Sequence, residues 1–180
     1  CIKHKLVPTF ILDEVVRHAG VLKTNSMAIL SQRVMPTAVG DPAMVVTVFV
    51  SMIAWLVMKR RYTDGIRFTI ACVGGVVLNQ VMKLFFTKPR PELWTRLISE
   101  TSFSFPSGHA VGSMVVYGFI GYILAREFPI YQRYIYAIAS SLIIAIGFSR
   151  LYLGVHYPTD IIAGYGVGIL WLTTCLKVKF

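Results

Sequence analysis

The sequence predicts an all-α protein, a polytopic transmembrane helical bundle. Of its 180 residues, 56% are hydrophobic and 14% charged, where soluble domains run at about 45–50% apolar and about 25% charged. Mean hydropathy is +0.66. The apolar residues gather into five runs with most of the charge between them, which is the pattern of membrane spans. The same figures exclude a disordered chain and leave too little charge to coat a water-soluble domain of this length.

Residues 1–41 stand apart. Phe10–Leu30 mixes Asp13, Glu14, Arg17, His18 and Lys23 with apolar positions, which predicts an amphipathic interfacial segment preceding the bundle. The chain begins at Cys1 without a methionine and reads as a fragment lacking an upstream span. Residues 42–180 form one domain, whose apolar runs are Pro42–Met58, Ile66–Phe86, Ala110–Ala125, Tyr134–Phe148 and Ile161–Leu176. Roughly 20 helical residues cross a bilayer core. Ile66–Phe86 reaches that length, and the others draw on flanking residues. Short connections make neighbouring spans antiparallel. Within the spans, Gly74-Gly75, Gly118 with Gly121, and Gly164 with Gly168 predict close helix packing. They lie mid-span without a following Lys-Ser/Thr, so no phosphate-binding loop is implied. Asn79, Gln80, Ser140 and Ser141 are expected to hydrogen-bond between helices.

The net charge of +10, from 18 Lys plus Arg against 8 Asp plus Glu, orients the bundle and does not mark nucleic acid as a partner. Lys59-Arg60-Arg61 with Arg67, Arg126 with Arg133, and Lys177 with Lys179 fall on one face, which the positive-inside rule makes cytoplasmic. The other face carries Lys83, Lys88, Arg90, Arg96 and Arg150, against that bias, and this invites a functional explanation. Cys1, Cys72 and Cys175 are isolated and define no disulfide framework and no zinc site.

Three polar clusters fall on that second face: Lys83 to Arg90-Pro91, Pro106-Ser107-Gly108-His109, and Ser149-Arg150 through His156 to Asp160. Alternating spans bring them to one membrane surface. Prolines 89 and 91 restrict the backbone around Arg90. Lys83, Arg90 and Arg150 together would balance a phosphoryl dianion, with arginine matching its oxygens in a fork. Ser107 is suited to cap the helix that follows, whose free N–H groups and dipole favour an anion. Gly108 admits close approach, and His109 sits beside it to exchange a proton. Pro158 suits the first position of a second helix, with Tyr157 as cap and Asp160 in the first turn. Asp160 would orient His156 and raise its basicity, leaving its other nitrogen as nucleophile or base. Singly, each residue has a plainer explanation: an interfacial histidine, a snorkelling cation, a Pro-Ser-Gly turn. Their concentration on one face makes coincidence a poor account. His4 and His18 have no such company and read as ordinary polar residues.

These motifs resemble the type 2 phosphatidic acid phosphatase family, which includes the vanadium-dependent haloperoxidases. The family pattern is Lys-x6-Arg-Pro, Pro-Ser-Gly-His and Ser-Arg-x5-His-x3-Asp, and every spacing is kept here over about 80 residues. The resemblance implies that His156 attacks phosphorus and forms a phosphohistidine with support from Asp160. It implies that His109 protonates the leaving oxygen, and that Lys83, Arg90, Ser107, Gly108 and Arg150 hold the phosphoryl oxygens. It also implies that no metal or other cofactor is needed. The residues alone left open which histidine is nucleophile and which is acid. Family members commonly have six spans, so the sixth is expected upstream of Cys1.

The expectation is therefore a multi-pass cell-membrane enzyme with an extracytoplasmic active site, hydrolysing a lipid phosphate whose tail stays in the bilayer. Phosphatidic acid, phosphatidylglycerophosphate and undecaprenyl pyrophosphate all qualify, and the motifs do not choose among them. No oligomeric state follows. Two rivals stand beside this reading. A vanadate-dependent haloperoxidase would use the same pocket but has no need of five spans. A non-catalytic anion transporter would explain the cations but not two histidines and an aspartate.

Overall fold

The computed structural model describes residues 42–90 and 102–178. The expected amphipathic segment 1–41, together with Pro91, Arg96 and Lys179, lies outside the described residues. Five α-helices follow in order: α1 (Pro42–Met58), α2 (Tyr62–Phe86), α3 (Gly108–Glu127), α4 (Gln132–Tyr152) and α5 (Pro158–Lys177), with a 3-10 turn at Pro129–Tyr131 before α4.

The helices outrun the apolar runs because charged flanks find partners. Asp64 enters the first turn of α2 by accepting from Arg61 Nε at 2.9 Å and pairing with Arg67 at 3.5 Å. Glu127 closes α3 between Lys59 (3.2 Å) and Arg61 (3.1 Å). These ion pairs put the α1–α2 turn and the end of α3 at the same end of the bundle. They confirm the antiparallel arrangement of the first three helices.

Four segments are long and apolar enough to cross a membrane: Tyr62–Phe86, Gly108–Glu127, Pro129–Tyr152 and Pro158–Lys177. The fifth expected span, α1, is a shorter apolar helix at the low end of spanning length. Its 17 residues rise only about 26 Å at 1.5 Å per residue, short of a core about 30 Å thick.

α3 is the central helix, 56% buried against 28–33% for the other three spans. Its apolar side meets α1 and α2 through a run of rings, with Phe49–Phe68 centroids at 5.3 Å and Phe68–Phe119 at 5.0 Å. Leu56, Phe68, Phe119 and Ile123 are fully buried there. Outward-facing Val73, Val77 and Leu84 on α2, with Ile138 and Phe148 on α4, remain exposed, as a lipid-facing surface requires.

α5 lies against α3 through the predicted small-residue pair. A Cβ on Gly164 would fall 2.7 Å from Ala110 Cβ and 2.9 Å from the Ser107 carbonyl oxygen, and one on Gly168 would fall 2.7 Å from Met114 Cβ. Only glycine permits this approach, and it seats the starts of both helices side by side. Gln80, Ser140 and Ser141 are exposed. None of them makes the expected interhelical hydrogen bond to a described residue.

Candidate active site

The site is assembled where α2 ends and α3 and α5 begin. Thr87 takes a left-handed conformation (φ 44°) and returns its N–H to the Lys83 carbonyl at 3.0 Å, which stops α2. The chain then runs on through Lys88 to Arg90. The segment before α3 lies against it, with Ser104 N–H donating to the Lys88 carbonyl at 2.9 Å. Ser102 gathers both cations. Its hydroxyl oxygen accepts from Lys83 Nζ at 2.9 Å and from Arg90 Nη2 at 3.0 Å, and its carbonyl accepts from Arg90 Nε at 2.8 Å. Both cations are buried, Lys83 to 7% and Arg90 to 6% exposure.

α3 starts after Ser107, which occupies the cap position, as expected, but makes no side-chain capping bond. Its hydroxyl is buried with no hydrogen-bond partner among the described residues. Its backbone N–H instead reaches the Asp160 carbonyl at 3.1 Å, tying the starts of α3 and α5 together. At α5, Tyr157 is the cap, Pro158 the first helical residue, and Asp160 closes the first turn by accepting from Tyr157 N–H at 3.0 Å.

After α4, Gly154 turns the chain at φ 70°, a conformation glycine adopts without strain. Arg90 Nη1 then donates to the Val155 carbonyl at 2.9 Å, which anchors His156 beside it. His156 Nε2 lies 3.4 Å from the same Nη1. Its Nδ1 lies 3.3 Å from Ser104 Oγ and 3.5 Å from Asp160 Oδ2. Burial lowers the imidazole's pKa below its ordinary 6.5; Asp160 pulls upward, and the Arg90 and Lys83 cations add to the lowering. At neutral pH the ring is therefore neutral. An acceptor on the Nδ1 side favours the Nδ1–H tautomer, so the Nε2 lone pair faces the arginine.

Asp160 is fully buried. Beyond Tyr157 and His156, its carboxylate accepts a short hydrogen bond from the Ser104 hydroxyl and one from Lys88 Nζ at 2.9 Å. The expected His–Asp pair is thus part of a larger network. Neither Lys88 nor Ser104 had been singled out for it. Ser102 and Ser104 flank exposed Phe103, and that alternation just ahead of Pro-Ser-Gly-His is the signal that could have found them.

A cleft of about 520 Å³ opens from this corner. Lys83, Arg90, Gly108, His109 and His156 line its polar end, while Val45, Phe49, Val76, Val115 and Val116 are among the residues farther along, and Gln80, Ser113 and Tyr117 also line it. Ser107, Arg150 and Asp160 are buried and are not among the lining residues. Arg150 sits one turn beyond Ile146, which is. Asn79, expected to bond between helices, lines the cleft with its Oδ1 buried and unpartnered among the described residues.

Fold and corner together define a helical membrane protein with a cationic, histidine-bearing pocket. Residues 64–180 match the PAP2 superfamily, and the chain belongs to it. The chain is 33% identical over 137 residues to phosphatidylglycerophosphatase B of Bacillus subtilis, covering 74% of this chain and 67% of that protein. It is 31% identical over 118 residues to an undecaprenyl-diphosphatase of Sulfolobus acidocaldarius, covering 63% of this chain and 54% of the relative. Its fold superposes on the crystal structure of a transmembrane PAP2-type phosphatidylglycerolphosphate phosphatase from Bacillus subtilis with a TM-score of 0.82. That match has 27% identity and covers 96% of this chain and 86% of the other.

Proposed function

We propose that the protein is a lipid phosphate phosphatase acting at the extracytoplasmic membrane surface through a phosphohistidine on His156. The observation that carries this is the orientation of His156: Nε2 faces Arg90 at 3.4 Å while Nδ1 faces Ser104 and Asp160. A phosphoryl group held by Lys83 and Arg90 meets the Nε2 lone pair. The buried Ser107 hydroxyl and the amides that open α3 add donors for its oxygens.

In the first step an Nε2–P bond forms as the P–O bond to the lipid breaks, and His109 gives its proton to the departing oxygen. In the second, water attacks phosphorus, its proton passes to His109, and the P–N bond breaks. The products are inorganic phosphate and the dephosphorylated lipid. Arg90 has a double duty, since the guanidinium that would bind phosphate also holds the Val155 carbonyl beside the nucleophile. The apolar wall of the cleft supports a substrate with a hydrocarbon tail. The relatives named above support phosphatidylglycerophosphate and undecaprenyl diphosphate as candidates, with phosphatidic acid alongside.

The test is phosphate release by the purified protein in detergent, with EDTA present, from those three lipids. Release from at least one is expected. Release from none overturns the reading.

A further inference from the structure

We infer that Asn79 is a specificity-determining residue, whose carboxamide hydrogen-bonds the first oxygens of the substrate's linker, between the phosphoryl group and the hydrocarbon tail. This rests on the phosphatase reading and refines it.

Cys72, Val76, Asn79 and Lys83 occupy successive turns of α2 and all line the cleft. Asn79 is four residues from Lys83, so its backbone lies about 6 Å farther along the helix axis at 1.5 Å per residue. It therefore marks the boundary where the cationic end gives way to Val76, Val115 and Val116. When the scissile phosphorus rests against Lys83 and Arg90, the atoms beside Asn79 belong to the linker.

The carboxamide is held for such a contact. Asn79 is 7% exposed, and its Oδ1 has no partner among the described residues. A Cβ added to Gly108 would lie 3.1 Å from Nδ2, so the amide packs on the glycine between Ser107 and His109. A polar group at this depth in a span is costly when unsatisfied. Helix packing does not explain it, because no hydrogen bond joins it to another described helix. A substrate oxygen at this level supplies the missing partner. Ester oxygens of a glycerol backbone and proximal phosphate oxygens of a diphosphate share that chemistry. A simple alkyl phosphate offers only methylene there.

The test compares kcat/KM for phosphatidic acid, farnesyl diphosphate and dodecyl phosphate in the intact protein and in Asn79→Leu, which keeps the branched shape and removes hydrogen bonding. One lost neutral hydrogen bond corresponds to about 3- to 10-fold. The expected result is a loss of that size relative to dodecyl phosphate on phosphatidic acid, farnesyl diphosphate or both. The more affected substrate identifies which linker oxygen is read, and Asn79→Ser should restore part of the ratio. Should Asn79→Leu not purify as a monodisperse species, Asn79→Ala gives the same comparison. Equal losses on all three substrates would mean a structural role and overturn the inference, as would no loss on any. If the unaltered protein cleaves dodecyl phosphate but neither other substrate, the inference falls and the phosphatase reading stands. Release from none of the three removes both.

Discussion

Replacing Ser104 with alanine probes the network behind the nucleophile while leaving every cleft-lining residue unaltered. Ser104 is fully buried, donates to Asp160 Oδ2, and lies 3.3 Å from His156 Nδ1. A hydrogen bond to a charged group contributes about 1.5–3 kcal/mol. If that energy holds the imidazole in register with phosphorus, its loss lowers kcat by about 10- to 150-fold. The pH profile should move as well. Asp160 raises the proton affinity of His156, and Ser104 occupies the same carboxylate oxygen. Removing the hydroxyl leaves more carboxylate charge for the ring, raises its pKa, and shifts the acid limb of kcat/KM to higher pH. The assay is phosphate release across pH 4–8 (about that window brackets histidine titration), with thermal unfolding in detergent to verify the fold. A kcat within about twofold of the unaltered protein, with an unmoved acid limb, would refute this role for the network.

Further consequences follow from the same geometry. In the unaltered protein, the acid limb of kcat/KM should fall below pH 6.5, because burial and two cations disfavour protonated His156; an inflection above 6.5 in the pH–rate profile would contradict a neutral nucleophile. Arg90→Lys replaces contacts to Ser102 and Val155 made by three separate nitrogens with one ammonium, so kcat/KM should drop by about 100-fold or more, measured by phosphate release. Gly164→Ala places a methyl 2.9 Å from the Ser107 carbonyl, and overpacking of this kind costs about 1–3 kcal/mol. It should lower the unfolding midpoint in detergent and activity together.

The all-α membrane class was legible because spans are written as contiguous apolar runs, which need no tertiary context. Helix ends were less so. Asp64 and Glu127 look like breaks in hydrophobicity until Arg61 reaches both; the first pair is local, but the pairing with Glu127 crosses 66 positions, which no local window sees. The candidate site residues stood out as cations, histidines and a carboxylate on one face, at spacings that resemble the family pattern, and the fold brings Lys83, Arg90, His109 and His156 to one cleft. The interval of Gly164 and Gly168 signalled close helix packing, but that α3 is the partner came only from the fold. What could not be read was the way partners are shared. Lys88 counted among the cations against the topological bias but received no role, and it meets the buried Asp160 carboxylate at 2.9 Å. Ser104 and Ser102 gave no motif, since a serine beside a turn has many ordinary uses. Asn79 was expected to bond a neighbouring helix, and only the fold turns it toward the cleft.

His156 is proposed to carry the phosphoryl group. This is tested most directly by quenching the enzyme in alkali during turnover of a 32P-labelled lipid phosphate and locating the label by peptide mapping. The expected product is an alkali-stable, acid-labile phosphoramidate on His156 that is absent from His156→Gln. Labelled peptide elsewhere, or full turnover by His156→Gln, would contradict it.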